Sequence, residues 1–325
     1  MTCNNFRAAV GAPPEDALRI FARAGFNTVR LRVWVNPTPE HPEGAAAYVA
    51  SLAARAAAAN LSIWLDFHLS DWWADPGHQT KPAAWVGLPL PALAAAVAAH
   101  VTDVLALVAA AGANVTIVQV GNEVSPGMLW PAAGEACADS GRIFAPCSVA
   151  NWPALGMLLG AGLRAARAAV PRALLAMHTD LGNRGSYAAS DAIAWYGRLA
   201  AELPADTTYD AIALSYYMKY NATGPAGEVP LAAALARAFP DKALLIAETS
   251  YGAAGVPPAG AAWPATPAGQ LDFWSRTIAA AEAGGWAGVA WWGGEYAGAW
   301  TALFDEDFVA RPALLGGWAA ARGGP

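Results

Sequence analysis

Along this chain, Ala- and Leu-rich stretches of helical period take turns with short apolar runs of Val, Ile, Leu and Trp. That alternation is the mark of successive βα units, which build a parallel sheet with helices packed on it. Helices are expected at 15–25, 46–59, 90–111, 152–169, 188–202, 230–238 and 266–283, with a last one near 312–321. The strands that follow them read as Thr28–Val35, Leu61–Phe67, Val115–Val120, Ala173–Met177, Ala211–Ser215, Ala243–Ala247 and Gly288–Trp292. An eighth strand belongs before the first helix. Residues 1–13 are the only room for it and read poorly as a strand, so the first strand is expected to be degenerate or truncated. The expected fold is α/β, a (β/α)8 TIM barrel, and no linker or break in composition divides residues 1–325 into more than one domain. A chain of 325 residues, 56% hydrophobic and 14% charged, can bury such a core.

Composition also narrows the partners. A net charge of −6 without a basic run argues against nucleic acid and against an anionic membrane surface. No uninterrupted apolar segment of about twenty residues is evident to span a bilayer. Met1–Val10 lacks the apolar centre of a secretory leader. Cys137 and Cys147 bracket a Gly- and Pro-containing segment and are a possible loop disulfide in an oxidising compartment. Spacing leaves the pairing open, and Cys3 is left over. Asn114 and Asn221 head glycosylation sequons of a kind that chance often produces. Of the fifteen tryptophans, core packing accounts for most, while those beside Asp, Gly or Pro offer flat faces to sugar rings.

In βα barrels the chemistry sits on loops after the strands. Polar and aromatic residues gather there: Arg32 and Trp34, His68 to Trp85, Asn122-Glu123, His178 to Asn183, Tyr216-Tyr217, Glu248-Thr249 and Trp292. Turns entering the strands are bland by comparison. Two expected strands end in carboxylates, Glu123 and Glu248. A single such glutamate is more often half of a salt bridge. Two, both flanked by aromatic loops, suit a double displacement at a glycosidic bond, in which one protonates the leaving oxygen and the other attacks from about 5–5.5 Å away. The acid needs burial or negative neighbours, and the nucleophile needs cations or donors. Period-two alternation puts Arg30, Arg32 and Trp34 on one face of their strand. Arg30 reads as an ion pair on the barrel floor. Arg32 reads as a cation near the mouth that could hold the nucleophile ionised, Tyr217 as a donor to Glu248, and Asn122 as a partner for a sugar hydroxyl. His68, Asp71, Asp75 and His78 lie close in sequence but lack a tight metal-ligand spacing, so no metal is expected. Neither a serine nucleophile elbow nor a phosphate-binding loop occurs.

Several of these segments resemble glycoside hydrolase family 53, the endo-β-1,4-galactanases among the clan A barrels. Leu31–Pro37 is similar to that family's second-strand motif, and Asp66–Gly77, continuing through Gln79–Trp85, to its third-strand loop. Gln119–Glu123 with Gly127–Pro131 resembles its fourth-strand segment, Leu214–Tyr217 its sixth, and Ala247–Tyr251 its seventh. The likeness implies Glu123 as acid/base and Glu248 as nucleophile. It places Arg32, His68, Asn122, Tyr217 and Trp292 around the −1 sugar, and Trp85 and Asp180 elsewhere in substrate binding. The implied substrate is the β-1,4-galactan of pectin, cleaved by a secreted monomer with no cofactor. Departures are a first strand that does not match, Gly293-Gly294-Glu295 where Glu-Pro is expected after Trp292, Met218 in place of proline, and an insertion-like segment at 134–150. The nearest alternatives are a clan A β-mannanase or β-glucanase, and a barrel that binds sugar without cleaving it.

Overall fold

The computed structural model describes residues 5–221 and 223–321. Its main sheet is parallel: β1 (Thr28–Val33), β2 (Ser62–Phe67), β3 (Val115–Val120), β6 (Leu174–Thr179), β7 (Ala211–Ser215), β8 (Ala243–Thr249) and β9 (Gly288–Trp291), hydrogen-bonded in that order. Strands β4 (Gly127–Met128) and β5 (Gly141–Arg142) form a separate antiparallel pair. The helices are α1 (Ala17–Arg23), α2 (Ala46–Ala58), α3 (Leu90–Ala110), α4 (Trp152–Ala169), α5 (Ala188–Glu202), α6 (Glu228–Ala238), α7 (Pro267–Gly284) and α8 (Pro312–Ala321). Every expected helix and strand is present, with ends shifted by a few residues.

The chain divides into two compact units: Thr28–Asp180 with Ala192–Ala213, and Met1–Asn27 with Leu181–Asp191 and Leu214–Pro325. In the first, β1 and β2 pair in register from Thr28↔Ser62 to Val33↔Phe67. Val33, Ile63, Leu65, Phe67, Val118, Val120 and Leu175 are buried on the strands. Helix α3 begins after Pro89, whose missing N–H costs nothing at a helix start. It buries Leu93, Val97, Val101, Val104, Leu105 and Val108, spaced at threes and fours along one face, each contributing about 1.5–3 kcal/mol. Contrary to the sequence expectation, α3 is long and apolar enough to cross a bilayer; here that buried face packs on protein.

In the second unit, Phe6, Ala17, Ile20, Leu303, Phe304, Ala313 and Leu314 form one buried cluster. Asp16 caps α1 by accepting from the Leu18 N–H at 3.0 Å. Helix α7 starts at Thr266, whose side chain accepts from Gly269 N, and stops at Gly285, where φ is +75° and glycine is the residue that tolerates it. The N-terminal stretch does not form a strand among its described residues. It makes isolated bridges instead, Phe6 with Glu15 and Arg7 with Val309, the latter through Arg7 N–H to Phe308 O and Ala310 N–H to Arg7 O, both 2.9 Å. Cys3 and the other residues before Asn5 lie outside the described residues.

The inserted segment is tied down by a Cys137–Cys147 disulfide, which decides the pairing that spacing left open. Lys81 is fully buried, with Nζ 2.8 Å from both Glu135 Oε2 and the Asp139 carbonyl.

Candidate active site

The two carboxylates fall in different units, and each has its own surroundings. Glu123 follows β3 on the turn Gly121-Asn122-Glu123. Gly121 has φ +84°, and a Cβ there would lie 2.6 Å from Val124 Cγ1, so glycine is required. Glu123 itself has φ +48°, a region that a residue with a Cβ enters only when its surroundings hold it there. Those surroundings are specific. Val124 N–H donates to the His178 carbonyl at 3.0 Å, Glu123 N–H reaches His178 Nδ1 at 3.4 Å, and Gln79 Nε2 donates to the Asn122 carbonyl at 2.7 Å. The side chain of Glu123 is buried.

Beneath this turn lies a polar network in which Asp66 and Gln119 are out of solvent and Arg30 is nearly so. Arg30 Nη2 stands 2.9 Å from Asp66 Oδ2 and donates to Asn122 Oδ1 at 2.7 Å, while Arg30 Nε donates to Gln119 Oε1 at 3.0 Å. Gln119 Nε2 donates to Asp66 Oδ1 at 2.6 Å, and Trp64 Nε1 to Gln119 Oε1 at 3.1 Å. The floor ion pair expected for Arg30 is therefore present, with Asp66 as its partner. Asn122 is spanned on both sides, its Nδ2 donating to the Ala74 carbonyl at 2.8 Å. His68 receives the Ala74 N–H on Nδ1 at 2.9 Å, so the proton sits on Nε2, which donates to Asp66 Oδ2 at 2.9 Å. Both ring nitrogens of His68 are thus engaged by protein. Burial, with the Arg30 charge next, pushes His178 well below the usual imidazole range, so it is neutral.

The remaining sites of the first unit are an arginine, aromatic rings and acids. The Arg32 guanidinium stacks 3.8 Å from the Trp73 ring centroid and 4.8 Å from that of Trp34. Trp85 is buried, edge-on to His100 at 6.1 Å. Asp180 is buried and accepts from Ser125 Oγ. Asp71 receives the Asn36 and Ala83 N–H groups at 3.0 and 2.8 Å, and Asp75 pairs with His78 at 3.0 Å, so both serve as loop ties.

Glu248 is the penultimate residue of β8, buried, and Tyr217 Oη donates to its Oε2 at 2.8 Å. Tyr217 is itself set by Asn183, whose Oδ1 accepts the Tyr217 N–H at 2.8 Å. The backbone is held as well, Tyr216 N–H donating to the Glu248 carbonyl at 2.8 Å. Between Ile246↔Val289 and Thr249↔Trp291, the stretch that holds Glu248, the β8–β9 register slips by one residue, as at a bulge. Trp292 follows β9, its N–H on the Thr249 carbonyl at 2.9 Å and its ring 6.0 Å from Tyr296. Asp66, Gln79, Gln119 and His178 received no role from sequence. For Asp66, Gln119 and His178 the available signal was polarity inside otherwise apolar strand ends, whereas Gln79 lies in the loop after β2.

Parallel strands preceded by helices, with buried glutamates on their carboxyl ends, define the class of barrel glycoside hydrolases. Within that class the chain belongs to glycosyl hydrolase family 53, whose family model matches residues 4–305. The family 53 catalytic domain of Ignisphaera aggregans is similar over 98% of this chain and 92% of its own, with TM-score 0.82 and 28% identity. A solved chain from the structure of two fungal β-1,4-galactanases gives TM-score 0.79 at 25% identity, covering 95% of this chain and 92% of its own. The fold class is thereby the TIM barrel of that family. Among curated relatives, a probable arabinogalactan endo-β-1,4-galactanase A of Aspergillus terreus is 32% identical over 71% of this chain. An arabinogalactan endo-β-1,4-galactanase of Humicola insolens is 33% identical over 63% of it. The chain spans 62% and 56% of those relatives' lengths.

Proposed function

We propose that this protein is a retaining endo-β-1,4-galactanase that hydrolyses the galactan side chains of pectin. The observation that carries the reading is a pair of buried strand-end glutamates in a member of a family whose named relatives are galactanases. Glu123 is the acid/base. It protonates the leaving glycosidic oxygen while Glu248 attacks the anomeric carbon, giving a glycosyl-enzyme ester. Glu123 then takes a proton from water, whose oxygen displaces Glu248 and restores the β configuration. The Tyr217 hydroxyl supports this role for Glu248, because it fixes one carboxylate oxygen by a charge-assisted hydrogen bond.

Arg32, Asn122 and Trp292 bind the sugar at the cleavage point, with Trp85 and Asp180 in supporting roles. His68, whose nitrogens face Asp66 and Ala74, acts by ring shape and by holding its loop. The Cys137–Cys147 bond fits an oxidising, extracellular setting.

The test is hydrolysis of linear β-1,4-galactan, with reducing ends counted and the fresh product's anomer read by NMR. β-Configured oligosaccharides are expected. A folded chain that leaves galactan intact and cleaves mannan or β-glucan overturns the substrate. Glu248→Ala abolishes cleavage. Glu123→Ala spares glycosyl-enzyme formation from an activated aryl glycoside, whose leaving group needs little protonation, far more than cleavage of galactan. Equal loss on both substrates removes Glu123 from the acid role.

A further inference from the structure

The hairpin next to the proposed acid carries an arginine held by aromatic rings and not by a carboxylate. After Glu123 the chain runs through Val124, Ser125 and Pro126 into β4, which pairs with β5 in the register Gly127↔Arg142 and Met128↔Gly141. Gly127 has φ +84°, and a Cβ there would come within 1.9 Å of the Gly141 carbonyl oxygen, so this close pairing depends on glycine. The β5 segment is fixed from its far side too. Asn151 Nδ2 donates to the carbonyls of Cys137, Ser140 and Arg142 at 2.9, 2.8 and 3.0 Å, and the disulfide closes the loop.

On this rigid base the Arg142 guanidinium lies 4.4 Å from the Trp130 ring centroid and 4.3 Å from that of Phe144. The two rings stand 5.1 Å apart at 66°, and Phe144 is 40% exposed. Arg142 Nε is buried without an acceptor, and the guanidinium has no ion pair or hydrogen bond among the described residues. Elsewhere Arg23, Arg30, Arg164, Arg167, Arg198 and Arg276 each meet a carboxylate. Arg142, half-buried and held by aromatic rings, meets no carboxylate among the described residues of its own chain.

We propose that Trp130, Arg142 and Phe144 form a binding site for a sugar ring that carries a carboxylate, a uronate unit of an acidic glycan. The rings supply a flat apolar face. With Nε walled off, the two terminal nitrogens present an end-on fork that matches a carboxylate and is pre-oriented by stacking. The inference rests on the proposed glycanase function for the sugar ring and on Arg142 for the charge.

The experiment titrates the full chain with trigalacturonate and with neutral β-1,4-galactotriose at low salt, by calorimetry and by tryptophan fluorescence. Trigalacturonate is expected to bind at least tenfold more tightly than the neutral trimer, and more weakly as salt rises. Arg142→Gln weakens it tenfold or more, Arg142→Lys less, and Phe144→Ala also weakens it, each variant checked for fold by circular dichroism. Equal binding of both trimers, or equal uronate binding by wild type and folded Arg142→Gln, overturns the site. Should Arg142→Gln fail to fold, the exposed Phe144 decides, and undiminished uronate binding by Phe144→Ala overturns it. Galactan hydrolysis by the wild-type sample is read separately. Uronate binding at Arg142 without galactan cleavage sinks the proposed function and leaves this site standing.

Discussion

Tyr217 is the side chain through which the proposed nucleophile can be probed one donor at a time. Its hydroxyl meets Glu248 Oε2 at 2.8 Å, and Tyr217→Phe removes that one donor while keeping the ring. A hydrogen bond to a charged group is worth about 1.5–3 kcal/mol, so kcat on galactan is expected to fall by up to about a hundredfold, and the bond's loss from the resting fold lowers stability by no more than that amount. A variant with wild-type kcat shows that the hydroxyl does not act on the nucleophile. Asp66 is the opposite case. It is buried and answers Arg30, Gln119 and His68 at once. Removing its charge with Asp66→Ala leaves the Arg30 cation without its counter-ion, a loss of about 3–5 kcal/mol. Urea unfolding measures it, and a change below 1 kcal/mol would mean the network is dispensable.

At the scale of elements, the helices were legible because each presents apolar residues at threes and fours, as in the Leu93–Val108 stripe of α3. The seven strands were legible as short apolar runs between them, and the two glutamates because they interrupt such runs at the end. What escaped was set by tertiary contact. The left-handed φ of Glu123 and the bulge at Glu248 have no local signature, since either residue sits comfortably in an ordinary strand. The N-terminal residues make bridges to Glu15 and Val309 rather than a strand, a pairing that depends on a segment some three hundred positions away. The β4–β5 hairpin was hidden because two-residue strands carry no periodicity. The disulfide closes a separation of 10 residues, so loop-closure entropy gives it about 3 kcal/mol. The Cys137→Ser, Cys147→Ser double variant is expected to unfold at a lower temperature by several degrees. An unchanged midpoint would assign the loop's stability to Asn151 and the buried Lys81–Glu135 pair instead.

For the whole molecule, two buried groups of opposite behaviour shape how stability depends on pH. Glu228, the first residue of α6, is fully buried with neither carboxyl oxygen hydrogen-bonded, and burial raises it from the ordinary 4.5 to about 9. His100 on α3 lies between Phe67 and Trp85 with Nε2 unpartnered, and burial lowers it from 6.5 to about 4. The signs follow from linkage. Between pH 4.5 and about 9 the folded chain keeps the Glu228 proton that the unfolded chain has released, so this group removes stability as pH rises. Between pH 6.5 and about 4 the unfolded chain takes up a proton that folded His100 refuses, so this group removes stability as pH falls. Each slope is about 1.4 kcal/mol per pH unit. They oppose one another from pH 4.5 to 6.5, where their sum is flat, and Glu228 alone acts from 6.5 towards 9. Glu228→Gln keeps the shape and removes the proton. Because His100 is common to both proteins and cancels, the variant's stability relative to wild type is expected to rise steadily from pH 4.5 to about 9 in urea titrations taken at successive pH values, and parallel curves for the two proteins would show that the carboxyl is ionised in the fold.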